Sequence, residues 1–346
     1  MSRTDDIIDK TKRKEPEAKK WKVVAGIVVG LVFGGALFVG SIICLNPVLD
    51  EYFDDNKEIE NLYDFYDLNV GYNTTSVYFV GASHVAESVY PAEINRILKE
   101  NGYENVTVYS AYVSSEGPLD RLVHLQNLIA SKPSMVIYGI SASKVSQDEI
   151  NEDNILIVKD RIQLIDDSLS YYTPEEVELL TGSLNPFDMK RFISSALIYK
   201  LNPVRSFEID YSVDPLGGEY ARKYIWGANV AEETIAYLYD PNHIIEYSIS
   251  EESRAVQAFN YILTTLEDNG IDVVVVNAPI NPLASDKITK ETRDNYYSVL
   301  NNTGYEWYDL EYSIPPEYFF DGTHPTFDGA MNLAPIWADI IIQEMS

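Results

Sequence analysis

The chain of 346 residues predicts an α/β protein. Its expected form is a three-layer α/β/α doubly wound sandwich with about five parallel strands, a largely helical insertion and one N-terminal transmembrane helix. Three observations carry this. Short apolar runs alternate with amphipathic helical patterns, the rhythm of parallel strands joined by right-handed crossovers. One run, Asp272–Val276 (DVVVV), is almost continuously apolar, as a strand covered on both faces requires. An uncharged apolar run of 23 residues, Val23 to Leu45, precedes them all.

That run comes first along the chain. At about 1.5 Å per residue it is long enough to cross a hydrocarbon core of ~30 Å. Residues 1–22 carry eight Lys and Arg against five Asp and Glu. The positive-inside rule therefore places them in the cytoplasm and the remainder outside the membrane. The run exceeds the length of a signal-peptide core, and no A-x-A site follows it. Bulky Ile43 before Cys44 argues against lipoprotein cleavage, so the segment reads as an uncleaved signal anchor. Gly26, Gly30 and Gly34 recur every fourth residue, which permits close helix packing and a homodimer through that face. Residues 46–75, rich in Asp, Asn and Tyr, read as a polar stalk before an extracytoplasmic domain at 76–346.

Within the domain, Val77–Val80 is the first strand. Pro91 opens a helix carrying Ile94, Ile97 and Leu98, and Asn101-Gly102 stops it. Val106–Tyr109 is the second strand. Ser115 and Pro118 introduce a helix with Leu119, Leu122, Leu125 and Ile129, and Met135–Tyr138 is the third strand. The rhythm lapses over about 145–248, too long for a loop and read as an insertion. Thr173-Pro174-Glu175-Glu176 begins one helix there, and 187–201 is apolar enough for another. A helix with Val256, Phe259, Ile262, Leu263 and Leu266 resumes the pattern and leads into the fourth strand, Asp272–Val276. A helix near 286–300, a fifth strand near 305–310 and a last helix from about Phe327 to Glu344 follow.

Composition excludes several classes. A net charge of −28 repels nucleic-acid phosphates. The single cysteine forbids an intramolecular disulfide and any zinc site built on two thiolates. His84, His124, His243 and His324 are too scattered to suggest a metal cluster, and no glycine-rich phosphate loop follows a strand, so no cofactor is implied.

Two segments carry chemistry. Gly81-Ala82-Ser83-His84 ends the first strand, and Asp321-Gly322-Thr323-His324-Pro325 lies between the fifth strand and the last helix. A doubly wound sheet places its site at the carboxyl ends of its strands, where both segments fall. A carboxylate three residues before a histidine can fix its tautomer. The other ring nitrogen is then free to act as base toward a serine. Taken singly, such a serine more often caps a helix, and such an Asp/His pair is more often surface.

Together the two segments resemble the first and last blocks of the SGNH (GDSL-type) hydrolases, over about residues 76–145 and 255–346. Within that superfamily the anchored architecture is similar to cell-envelope acyl esterases and acyltransferases. The resemblance implies Ser83 as nucleophile, His324 as general base and Asp321 as its orienter. It implies an oxyanion hole from the backbone N–H groups of Ser83 and Gly117. Tyr138-Gly139-Ile140-Ser141 stands where the family usually reads Gly-x-Asn-Asp, so the oxyanion-binding asparagine is missing, and Ser141 or Ser143 is left to offer a hydroxyl. Ala82 replaces the usual Asp before the serine. His84 reads as shaping the pocket rim, with His124 and His243 structural. Residues 277–282 read as another wall of the mouth. Tyr220, Tyr224 and Trp226 would line a sugar cleft or form the insertion's own core.

The expected activity is that of a membrane-anchored extracytoplasmic serine esterase. It would remove an acyl group such as acetyl from a surface glycan or envelope polymer. Acyl transfer with the same triad is the near alternative, and a non-catalytic glycan-binding or scaffold protein is the third.

Overall fold

A computed structural model describes residues 57–68, 75–182, 207–209, 222–224 and 236–346. Helix α1 spans Lys57–Leu68. Strand β1 (Thr75–Val80) runs through a turn into the short helix α2 (Ser83–Ala86), then α3 (Pro91–Glu100). Strand β2 (Val106–Ser110), helix α4 (Pro118–Ala130) and strand β3 (Met135–Ile140) follow. Helix α5 (Ala142–Val145) follows β3, and the insertion then contains α6 (Glu152–Val158) and α7 (Pro174–Thr181). It also contains an antiparallel ribbon of β4 (Phe207–Ile209) and β5 (Arg222–Tyr224). The sandwich resumes with α8 (Arg254–Asp268), β6 (Asp272–Asn277), α9 (Pro282–Ser285), α10 (Lys290–Asn302), β7 (Trp307–Asp309) and α11 (Phe327–Glu344).

Five strands form one sheet in the order β2-β1-β3-β6-β7, every neighbouring pair parallel. All five expected strands are present. The side-chain alternation of a strand divides the core into two layers. Val77 and Phe79 of β1 face a layer with Leu98 of α3 and Leu333 and Trp337 of α11. Tyr78 and Val80 face the other, with α1, α4, α8 and α10. Trp337 seals the first layer: it is fully buried, meets Phe79 edge-on at 5.1 Å and donates its indole N–H to Ser88 O at 2.8 Å.

One expectation is corrected here. The segment read as a polar stalk is in part core. Ile59, Leu62, Tyr63, Phe65 and Tyr66 of α1 are all at most 3% exposed. Phe65 lies 5.0 Å from Tyr78 and 4.8 Å from Tyr109, while Tyr63 OH bonds His124 Nδ1 at 2.7 Å. Apolar residues at helical spacing bury whatever charges intervene, and here Asp64 and Asp67 point outward to Arg161, at 2.7 Å each. The insertion, expected to be largely helical, holds the β4–β5 ribbon beside its helices among the described residues. Its helix start at Thr173 is as read: Thr173 and Glu176 form a reciprocal capping box.

The anchor at 23–45, the Gly26, Gly30 and Gly34 face, the helix over 187–201, and Tyr220 and Trp226 lie outside the described residues. Among the described residues no helix is long and apolar enough to cross a membrane.

Candidate active site

The site is built where β1 stops. Gly81 has φ +145°, and a Cβ there would lie 2.5 Å from Gly139 O and 2.7 Å from Val85 Cγ2. Only glycine lets β1 turn so tightly over β3 and place Ser83 at the first position of α2. The Ser83 N–H is then one of the helix-initial amides that have no acceptor within the helix.

The partner comes from the far end of the chain. Ser83 Oγ lies 2.9 Å from His324 Nε2, and His324 Nδ1 lies 2.8 Å from Asp321 Oδ2. The other carboxylate oxygen, Oδ1, accepts the backbone N–H groups of Thr323 at 2.7 Å and His324 at 2.8 Å. The carboxylate thus closes its own turn while holding the ring. Burial pushes the Asp321 carboxyl up, but the His324 ring and the two backbone N–H groups outweigh it and hold it below the ordinary value. With Asp321 accepting at Nδ1, the proton sits there and Nε2 presents its lone pair to the serine hydroxyl. Phe320 stacks on the imidazole, centroids 5.4 Å apart and planes within 10°, and covers one ring face.

Gly322 has a different constraint. A Cβ there would lie 1.8 Å from Tyr237 Oη, so the ring of Tyr237 fixes the turn's path from above.

The structure brings Ser83, Asp321 and His324 together, but it does not leave Gly117 free for an oxyanion. Gly117 is the residue before α4. Its N–H donates to Asp120 Oδ2 at 3.0 Å and its carbonyl accepts Arg121 N at 3.0 Å. The amide is committed to capping its own helix. Ser141 is brought level with Ser83 by the β1–β3 register, in which Val80 faces Tyr138. Its side chain is engaged with Ser143 Oγ at 3.0 Å, and it is 3% exposed. His84 is interior rather than on the rim. Burial, aided by the His324 and Lys144 charges, pushes its imidazole down to about 3, so it stays neutral and does not compete as base.

The loop after β2 reaches the same place by another route. Val113 N donates to Gly81 O at 3.1 Å. Behind it lies a buried ion pair: Arg121 Nη2 donates to Glu116 Oε2 at 2.6 Å and to Ala111 O at 3.0 Å, while Nη1 donates to Tyr66 OH at 3.1 Å. Sequence reading missed Phe320, Tyr237 and this pair. Phe320, directly before the Asp321 motif, was the one with a positional signal.

No curated protein matches the chain in sequence. One protein-family model matches residues 218–346, and its description states no activity. Among solved structures, that of a "putative acylhydrolase" from Bacteroides fragilis is similar over 82% of this chain and 96% of that one. The two share 11% sequence identity at a TM-score of 0.38. A likeness of that degree decides nothing about activity, and the geometry of Ser83, Asp321 and His324 stands by itself.

Proposed function

We propose that this chain is a serine hydrolase of ester bonds that works through an acyl-enzyme. The observation that carries the reading is the unbroken chain of contacts Ser83 Oγ–His324 Nε2 at 2.9 Å and His324 Nδ1–Asp321 Oδ2 at 2.8 Å. Ser83 Oγ attacks the ester carbonyl as its proton passes to His324 Nε2. The resulting imidazolium is stabilised by Asp321 and returns the proton to the leaving alkoxide. Water then attacks the acyl-Ser83 ester, losing its proton to the same nitrogen. As the bond to Ser83 Oγ breaks, His324 returns that proton to the serine oxygen and the acid is released. The Ser83 N–H, at the first position of α2, is the donor this reading assigns to the developing oxyanion, and one such donor is worth about 2.7–4 kcal/mol of barrier.

The apolar run at 23–45 behind a basic tail supports a membrane-anchored enzyme with this site outside the membrane. An anchored esterase has its natural substrates within reach of the bilayer, which favours an acylated surface glycan or envelope polymer.

The test is a serine-reactive fluorophosphonate applied to the full chain in detergent, beside Ser83→Ala and His324→Ala. Labelling of the parent and of neither variant is expected. A folded parent that stays unlabelled, or a labelled Ser83→Ala, would overturn the reading.

A further inference from the structure

We infer that Asn281 is a positioning residue that holds the Asp321–His324 turn in register with Ser83. The inference rests on the reading of those three residues as the reacting groups.

The turn at 321–324 belongs to no helix or sheet strand, and Asp321 spends both carboxylate oxygens inside it. Nothing in the turn itself therefore sets where it stands relative to the sheet. Asn281, four residues past the end of β6, supplies that. Its side-chain amide donates from Nδ2 to Asp321 O at 2.9 Å, and its backbone N donates to Gly322 O at 3.2 Å. One residue thus grips two successive carbonyls, the first belonging to the residue that orients the imidazole. Its Oδ1 accepts Leu283 N at 3.0 Å and caps α9, so the amide orientation is fixed from both ends. Asn281 is 3% exposed. A side-chain amide that deep has its bonding groups matched, and here the match goes to the turn.

The loop bearing Asn281 is itself tied down. Ile280 N donates to Glu311 O at 3.2 Å. The Glu311 carboxylate receives Arg293 Nη1 at 2.5 Å and Tyr297 OH at 2.8 Å, and also Ser285 Oγ at the end of α9. A continuous set of polar contacts thus runs from the edge of β7 through Asn281 to the catalytic turn.

The competing account is that Asn281 merely caps α9. Two substitutions separate the accounts in the full chain in detergent. Asn281→Asp keeps an oxygen for Leu283 N but sets another oxygen against Asp321 O, whereas Asn281→Ala loses both contacts. The readouts are the fluorophosphonate labelling rate and the strongly deshielded Hδ1 proton resonance of the Asp321–His324 pair. We expect both variants to label about 10–100-fold more slowly and to lose that resonance to exchange, with Asn281→Asp melting close to the parent. Should Asn281→Asp not fold, Asn281→Ser provides the same cap-keeping comparison. Parental labelling and an intact resonance in the cap-keeping variant would reduce Asn281 to a helix cap and overturn the inference. An unlabelled parent would sink the hydrolase reading instead. The resonance would still decide this one, since it needs no turnover.

Discussion

Alanine at Gly322 puts a methyl group where Tyr237 already is. The added Cβ would lie 1.8 Å from Tyr237 Oη, 3.1 Å from its Cζ and 3.4 Å from Ala284 Cβ. The first distance falls short of ordinary contact by roughly 1.5 Å or more, and either the tyrosine or the turn has to give. The turn carries Asp321 and His324, and Gly322 O is held by Asn281 N at 3.2 Å, so its movement is coupled to the site. If the displacement is shared, the imidazole shifts by about 1 Å from Ser83, a misplacement that can cost on the order of 10²-fold in rate. The assay is the second-order rate constant for fluorophosphonate labelling of the full chain. We expect Gly322→Ala to react about 10–100-fold more slowly than the parent. Combining it with Tyr237→Phe removes the clashing oxygen and leaves the ring carbon at 3.1 Å, which a shift of a few tenths of an ångström relieves. The double variant should recover most of the rate, and Tyr237→Phe alone should react like the parent. Full reactivity in Gly322→Ala would refute the need for glycine there, and no recovery in the double variant would refute the steric reasoning and place the glycine's role in the backbone itself.

Asp321→Asn should leave Ser83 in place but present the wrong partner to His324 Nδ1, lowering labelling by about 10³–10⁴-fold. The same carboxylate marks an acid-sensitive contribution to stability. Its folded-state pKa is depressed, so the folded protein binds fewer protons there than the unfolded chain. The contribution is therefore complete above the ordinary value of 3.8 and is lost as pH falls through the depressed one. Urea titrations below pH 4 should show the parent losing stability that Asp321→Asn never had. Arg121→Met strands Glu116, which is 2% exposed, without its cation. It should cost about 3–5 kcal/mol in urea unfolding, and adding Glu116→Leu should return a large part of it. Trp337→Ala should destabilise by about 3–5 kcal/mol through the cavity it opens against Phe79, read as a lower urea midpoint.

The strands were legible because each is a short apolar run between punctuating residues, and a run such as 272–277 has few alternatives to a buried parallel strand. Ser83 and the Asp321-Gly322-Thr323-His324-Pro325 segment were legible for a related reason: topology alone brings them to one end of the sheet. Gly117 was misread because a glycine after a strand was given a ligand's role when its neighbours spelled a helix start. Pro118 at the first position and Asp120 at the third are a capping signature, and that Asp takes the Gly117 amide. The burial of α1 was missed because it lies in the polar stretch 46–75 and its apolar residues are interleaved with Glu58, Glu60, Asn61, Asp64 and Asp67, although Ile59, Leu62, Tyr63 and Tyr66 keep a helical period. Asn281 was placed only as part of the wall at 277–282, and Tyr237 left no trace at all. Each acts on a turn some 40 or 85 residues away, and a contact of that span is a property of the folded chain, not of a local pattern.

Ser83 and His324 stand 241 residues apart in sequence yet share a hydrogen bond. At ribosomal rates of ~5–20 residues per second, roughly 10–50 s separate their synthesis. Throughout that interval the growing polypeptide carries an ordinary, unreactive alcohol. Docking of α11, with Trp337 reaching back to Ser88, can follow only after the histidine has been made. On the reading of Ser83 as nucleophile, synthesis of residue 324 is therefore an activation step: a product that stops before it has a serine with no base beside it and is idle toward esters.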